Sequence, residues 1–253
     1  MTDVIVAIPA RDEEQDLPIC LEHVLGAAGV ARSTGVVRRI TVAVAAHRCS
    51  DRTLEVASRI LSGQRLVSVL VAEDRTSESV GSVRAALLTR LVDRPDAVDD
   101  PHTTWLFTTD ADSYVPADWL AATLAQLHRR AAVASAGMVQ LRDWTASAEA
   151  KARYAQIIRE ELHGDGHGHV YAANLAVRLD AYLSVGGFHS VPHGEEHDLL
   201  DRLRRAGYPV TSLFTPLVST SGRHPGRASH GLGDLLDELA RSELPQPSEL
   251  PAH

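Results

Sequence analysis

The chain predicts an α/β fold, a mainly parallel sheet with helices on both faces. Three observations carry that expectation. Apolar runs of strand length alternate with helix-period segments from residue 4 to residue 109. Those runs are apolar throughout rather than at every second position, as strands covered on both faces require. Each run also ends in a polar cluster: Pro9-Ala10-Arg11, Ala46-His47-Arg48, Glu73-Asp74-Arg75 and Asp110-Ala111-Asp112. Ligands of parallel sheets bind beyond the carboxyl ends of the strands, so the four clusters share one rim and make one candidate site.

Residues 4–8 form the first strand, closed by Pro9, and residues 16–28 a helix with Leu17, Cys20, Leu21, Val24 and Leu25 on one face. Residues 40–45 are the second strand; the helix 51–61 follows, capped by Asp51 or its neighbour Ser50. A third strand (66–71), a third helix (80–91) and a polar loop (94–102) lead to the strand 105–109, which delivers the paired aspartates. The second half is less regular. Pro116 opens a helix to about residue 130, 133–141 is a strand, 147–162 a helix, 163–169 a Gly/His loop and 170–177 extended. Residues 195–206 form a short helix stopped by Gly207, with Arg204 and Arg205 in the last turn, where the helix dipole favours cations. The polar, Pro-rich stretch 242–253 reads as a disordered tail.

At 253 residues the chain can bury a substantial core. Its balance is mildly acidic, 33 Asp+Glu against 25 Lys+Arg, with no basic block, which argues against nucleic acid as partner. Cys20 and Cys49 define neither a disulfide framework nor a metal knuckle. The start Met1-Thr2-Asp3 enters a strand at once, so no signal peptide is expected, and no apolar run approaches the roughly 20 residues of a membrane span.

Chemistry concentrates in a few places. Asp110 and Asp112, spaced i, i+2 at a strand exit, can converge on one hard cation; Mg²⁺ or Mn²⁺ takes one or two carboxylates and fills its other positions with water and phosphates. Gly81 and Arg84 stand at a helix start, where free N–H groups favour anions and Arg84 is a candidate phosphate contact. Arg223 and Arg227, after the last strand, are candidates for clamping a diphosphate. In the helix 195–206 the stripe Leu199, Leu200 and Leu203 aims Glu196 inward and leaves Glu195 to one side, near Asp198 and Arg202. A carboxylate held inward beside another acid has the environment of a general base. His163, His167 and His169 lie in a Gly-rich stretch too loose for structural zinc, which reads as a mobile loop.

Four motifs in order, Ile8-Pro9-Ala10-Arg11-Asp12-Glu13-Glu14, Asp110-Ala111-Asp112, Gly186-Gly187-Phe188 and Gly194-Glu195-Glu196-His197-Asp198-Leu199, resemble those of the family-2 glycosyltransferases, whose fold is the Rossmann-like GT-A. The resemblance implies a nucleoside-diphosphate sugar donor, a Mg²⁺ or Mn²⁺ cofactor, an inverting transfer, and an acceptor that is a small molecule, a glycan or a lipid. Pro9, Ala10, Arg11 and Glu13 would line the nucleoside pocket. Asp110 and Asp112 would serve the ribose and the metal, with Asp112 the favoured ligand and His224 a candidate to complete the shell. Asn174 matches a position near the donor sugar. The family's acidic run after the second strand is here Ala46-His47-Arg48-Cys49-Ser50-Asp51, so Asp74 is the candidate for the acidic contact to the base. The family's base is the second acid of the pair, usually Asp; Glu196 departs from it by one methylene.

The expected organisation is one catalytic domain over 1–241, a nucleotide-sugar half (about 1–112) and an acceptor half (113–241). A cytoplasmic protein is expected, peripheral at the membrane if the acceptor is a lipid, and a homodimer is left open. The rival readings are a nucleotidyltransferase acting on a sugar phosphate, against which the Gly-free stretch Pro9 to Gln15 counts, and a non-catalytic sugar-nucleotide-binding protein.

Overall fold

A computed structural model describes residues 2–94, 98–164, 166–223 and 232–241. In chain order the elements are β1 (Thr2–Ala10), α1 (Leu17–Ser33), β2 (Val37–His47), α2 (Thr53–Ser62), β3 (Ser68–Asp74), α3 (Val80–Val92), β4 (Thr104–Thr108) and β5 (Ser113–Tyr114). Then come α4 (Trp119–Arg129), β6 (Ala134–Arg142), α5 (Ala148–Glu160), β7 (Leu162–His163), β8 (Gly166–His167), a 3₁₀ turn (Ala172–Asn174) and β9 (Leu175–Arg178). The described chain closes with α6 (Leu179–Ser184), α7 (Glu195–Arg205), β10 (Val210–Ser221) and α8 (Leu232–Arg241).

Eight strands form one sheet in the order β3-β2-β1-β4-β9-β6-β10-β5. β1 to β4 are mutually parallel. β9 runs against both β4 and β6, and β10 runs parallel to β6. Two reversals cancel, so β6 and β10 point the same way as β1 to β4. The carboxyl ends Ala10, His47, Asp74, Thr108, Arg142 and Ser221 therefore meet at one edge, and that convergence builds the site.

The alternation of a strand's side chains splits the core in two. Val4, Val6 and Ile8 of β1 face α1 and α4, with Leu17, Leu21, Val24, Trp119 and Leu124. Ile5 and Ala7 face α3 and α7, with Val83, Leu87, Leu199, Leu200 and Leu203. Double coverage is why these strands read as apolar runs. α3 begins at Ser79, whose hydroxyl accepts the Ser82 N–H while the Ser82 hydroxyl accepts that of Ser79, a reciprocal cap. Asp51 accepts the Thr53 N–H at 2.9 Å and so satisfies the start of α2 from one residue before the N-cap position.

The second half departs from the sequence reading where segments are short. Leu162–His163 and Gly166–His167 pair as the antiparallel strands β7 and β8 instead of belonging to a loose loop, and His167 is buried with its ring nitrogens against the carbonyls of His169 (3.0 Å) and Leu213 (3.1 Å). α6 and the two-residue β5 carry too few residues to show a period. The tail expected over 242–253 lies outside the described residues. Among the described residues no helix is long and apolar enough to cross a membrane.

Asn174 locks β9, α4 and β10 together. It is 5% exposed. Its Oδ1 accepts the Trp119 indole N–H at 2.9 Å, and its Nδ2 donates to the carbonyls of Met138 and Pro216, both at 2.9 Å. Gly137 lies beneath, where a Cβ would fall 2.3 Å from the amide nitrogen. Asn174→Leu keeps the volume but strands one buried donor and two buried carbonyls, so urea denaturation should read a loss of about 3 kcal/mol. A loss under about 1 kcal/mol would show that water replaces the amide.

Candidate active site

The Asp-x-Asp turn after β4 is fixed from below. The Asp110 carbonyl accepts the Ser113 N–H at 3.0 Å and the Cys20 thiol of α1 at 3.4 Å. Asp112 turns toward the end of β10, where Arg223 Nη2 donates to its Oδ2 at 3.0 Å. Burial, with Asp110 and Glu13 nearby, pushes the Asp112 carboxyl up to about 7 against the pull of Arg223. One guanidinium does not balance this cluster, since Arg223 also serves Glu13 at 2.9 Å and Asp16 at 3.5 Å.

The loop after β1 forms the facing wall. Asp12 adopts a left-handed backbone (φ 52°) and accepts the Ser50 N–H at 2.6 Å, which holds its carboxyl below the usual range. The Glu13 N–H donates to Thr53 Oγ1 at 2.7 Å, tying this loop to α2. Arg142, at the end of β6, donates to Asp16 at 3.1 Å and to the Asp112 carbonyl at 3.0 Å, and its guanidinium lies 3.8 Å from the centre of the Tyr114 ring. The sequence reading missed Arg142; its place at a strand's carboxyl end was the available signal. Between these walls lies a cavity of about 490 Å³ lined by Asp12, Glu13, Glu14, Asp16, Asp51 and Asp143 against Arg142 and Arg223.

The acid pair opens α7. Gly186 and Gly187 both adopt left-handed backbone (φ 82° and 69°), and a Cβ on Gly187 would fall 2.7 Å from the Tyr182 ring. Arg202 pins this turn to the helix through the carbonyls of Val185 and Gly187 and through Asp198. The structure corrects the facing argument for the two acids. Glu195, not Glu196, is the more deeply buried at 3% exposed, and it pairs with Arg84. Glu196 is half-buried, its side chain 17% exposed, so neither acid points away from the body. Burial and the neighbouring charge of Glu195 push the Glu196 carboxyl well above the usual range.

Three sequence-predicted ligand contacts are corrected. Arg84 is 2% exposed and its guanidinium is taken at both ends, by Asp110 at 2.6 Å and by Glu195, so it supports the site from behind instead of meeting a phosphate. Asn174 spends both amide N–H groups and one acceptor site of Oδ1 inside the core, and at 5% exposed it is closed to a sugar. Asp74 is buried and folded into its own turn; burial raises its carboxyl, but bonds from Ser77 (3.0 Å from the N–H) and Thr76 (2.9 Å) outweigh that and hold it at about 2. Pro9 and Ala10 close β1, with Ala10 in the core, while Arg11 stands exposed at the rim. His224 and Arg227 lie outside the described residues.

The donor set at Asp110 and Asp112 is all hard oxygen, which fits Mg²⁺ or Mn²⁺, and the desolvated negative charge at Asp112 is what a divalent cation would relieve. Among the described residues the three metal-type groups whose ligand atoms lie within 4.8 Å of one another are Asp12, Cys49 and Asp51. Their oxygens already accept the N–H groups of Ser50, Glu14 and Thr53, which makes that cluster a loop clasp.

No family model and no curated protein matches the sequence. Solved structures do match the backbone. TarS 1-349 of S. aureus in complex with UDP-GlcNAc gives a TM-score of 0.62 at 12% identity, over 98% of this chain and 68% of that one. The mannosyltransferase PcManGT from Pyrobaculum calidifontis, in complex with GDP-Man and Mn²⁺, gives 0.63 at 16% identity, over 88% and 58%. The fold is similar to that of GT-A glycosyltransferases. This chain spans 61% of TarS 1-349 in another of its crystal structures and 37% of a longer TarS chain.

The raised acids give the site a pH signature. An acid whose pKa rises on folding keeps its proton where the unfolded chain has lost it, so its stabilising contribution fades as pH rises from the ordinary 3.8 to about 7. Without metal, the melting temperature should fall from about pH 5 to about pH 8, and Asp112→Asn should flatten that fall. Equal slopes in the two proteins would show that Asp112 is solvated and ordinary.

Proposed function

We propose that this chain is a metal-dependent, inverting glycosyltransferase that moves a sugar from a nucleoside-diphosphate sugar to an acceptor hydroxyl. The observation that carries the reading is a juxtaposition. One sheet edge presents an Asp-x-Asp pair with an arginine 3.0 Å from Asp112 and, across the buried Arg84, a helix start with two acids, one shifted toward neutrality. The fold likeness to structures holding UDP-GlcNAc and GDP-Man with Mn²⁺ supports it.

In this reading Asp112, with help from Asp110, would hold Mg²⁺ or Mn²⁺, which would supply positive charge to the diphosphate. Arg223 turns its guanidinium from Asp112 and Glu13 toward the departing phosphate oxygens. Glu13 and Arg11 border the nucleoside. Glu196 takes the proton of the acceptor hydroxyl as that oxygen attacks the sugar's anomeric carbon from the face opposite the leaving group. An acid shifted toward neutrality suits this step, because a base works best with a pKa near the working pH. Glu195, neutralised by Arg84, holds its place beneath. Residues 1–241 act as one catalytic unit, donor half first.

The sugar, the nucleotide and the acceptor emerge from a melting-temperature screen of UDP, GDP, TDP and CDP with and without Mn²⁺, since a ligand of the folded state raises the midpoint by mass action. One diphosphate should stabilise the protein only with Mn²⁺, and Asp112→Asn should reduce its calorimetric affinity to the metal-free level. Metal-independent binding of equal strength in wild type and variant would overturn the metal assignment. Glu196→Gln should keep donor affinity while turnover falls about 10²–10⁴-fold. Unchanged turnover would remove Glu196 from the role of base.

A further inference from the structure

We infer that Arg84 is a positioning residue that sets the donor-side aspartates and the acceptor-side acid pair against each other through one buried guanidinium. The inference rests on the glycosyltransferase reading and goes a step into it. Arg84 projects from α3, between the turn after β4 and the first turn of α7. Nη2 donates to Asp110 Oδ1 at 2.6 Å, Nη1 donates to Glu195 Oε1, and Cζ lies 6.0 Å from the centre of the Phe188 ring. One turn earlier, Gly81 brings the helices together: a Cβ there would fall 2.6 Å from the His189 carbonyl oxygen and 2.9 Å from Glu195 Cβ. The start of α7 is thus seated on α3 by backbone contact and oriented by the guanidinium.

Burying an arginine and a glutamate is an expensive way to join two helices, since apolar side chains of similar volume often do it as well or better. What the charges add is direction. A guanidinium is a rigid planar fork, and its two ends fix the angles of two carboxylates relative to each other. Asp110 is held at Oδ1 with its side chain 38% exposed, two residues before Asp112. Glu195 held at the far end fixes the backbone from which Glu196 projects. At 2% exposed, with both ends committed, Arg84 itself does not meet a ligand.

A merely structural role, neutralising buried Glu195, makes a different forecast. Arg84→Met alone leaves Glu195 buried and unpaired and is expected to melt early. Arg84→Met combined with Glu195→Gln removes both charges and should recover the melting temperature. If Arg84 positions the site, this double variant still binds the Mn²⁺–nucleoside diphosphate complex about 10–100-fold more weakly, the usual cost of losing a residue that orients a metal ligand. Hydrolysis of the matching sugar nucleotide, water serving as acceptor, then falls by more than the loss of affinity explains. Arg84→Lys, which keeps the charge and loses the fork, should restore stability without restoring affinity. Wild-type affinity and turnover in the recovered double variant, or in Arg84→Lys, would overturn the inference and leave the functional reading intact. If wild type itself binds none of UDP, GDP, TDP or CDP with Mn²⁺, the functional reading fails and this one with it.

Discussion

Carboxylates drawn out of water need cations, and at the carboxyl edge of this sheet three arginines supply them. Arg84 answers Asp110 and Glu195, Arg142 answers Asp16, and Arg223 is shared among Glu13, Asp16 and Asp112. Each comes from a different part of the chain: α3, the end of β6 and the end of β10. The matching of charges therefore also ties the loop after β1, the turn after β4 and α3 to the second half of the molecule. Around Arg84 both ends of the guanidinium are taken, by Asp110 and by Glu195. Where the matching is short, at Asp112, the carboxyl is driven toward neutrality. The shortfall marks the place that calls for a further cation.

The parallel half was legible in the sequence because its physics is local. A strand covered on both faces is apolar on both, as the central runs of β1, β2 and β4 largely are, so those runs and the polar residues after them located the edge before any contact was known. The second half was less legible, because its elements owe their form to partners far along the chain. In the paired strands β7 and β8 the ring of His167 is held by the carbonyls of His169 and Leu213, and no periodicity within residues 162–167 announces that. Asn174 looks from the sequence like a polar residue available to a ligand; only the meeting of α4, β6 and β10 around it shows that both ends of its amide are bonded within the core.

The acid pair of α7 teaches a narrower lesson about helical faces. From a wheel, Glu196 sits three and four residues before Leu199 and Leu200 and appears central, while Glu195 appears lateral. At the first turn of a helix, however, what counts as inside depends on the neighbour. α3 passes on the Glu195 side, brought close by Gly81, and it carries the one buried guanidinium that makes burying an acid tolerable. The wheel gave the stripe correctly and the flanks wrongly, because the partner helix was not in it.

The cavity's charge also constrains the order of events on the proposed function. Six carboxylates and two guanidiniums line it, in a protein whose formal net charge is −8. A nucleoside diphosphate approaching that lining meets repulsion from charges of its own sign, weakly screened once they leave water. On the proposed function, a divalent cation bound to the diphosphate, or held by the Asp-x-Asp turn, would lessen that repulsion and allow Arg223 to exchange a carboxylate partner for a phosphate. After transfer, the free diphosphate carries more negative charge than the donor did and the same carboxylates then favour its departure. On the proposed function, an acid-rich site of this kind would bind its ligand in the company of the metal and release it readily. That combination suits turnover better than a wholly basic pocket, which would hold its product.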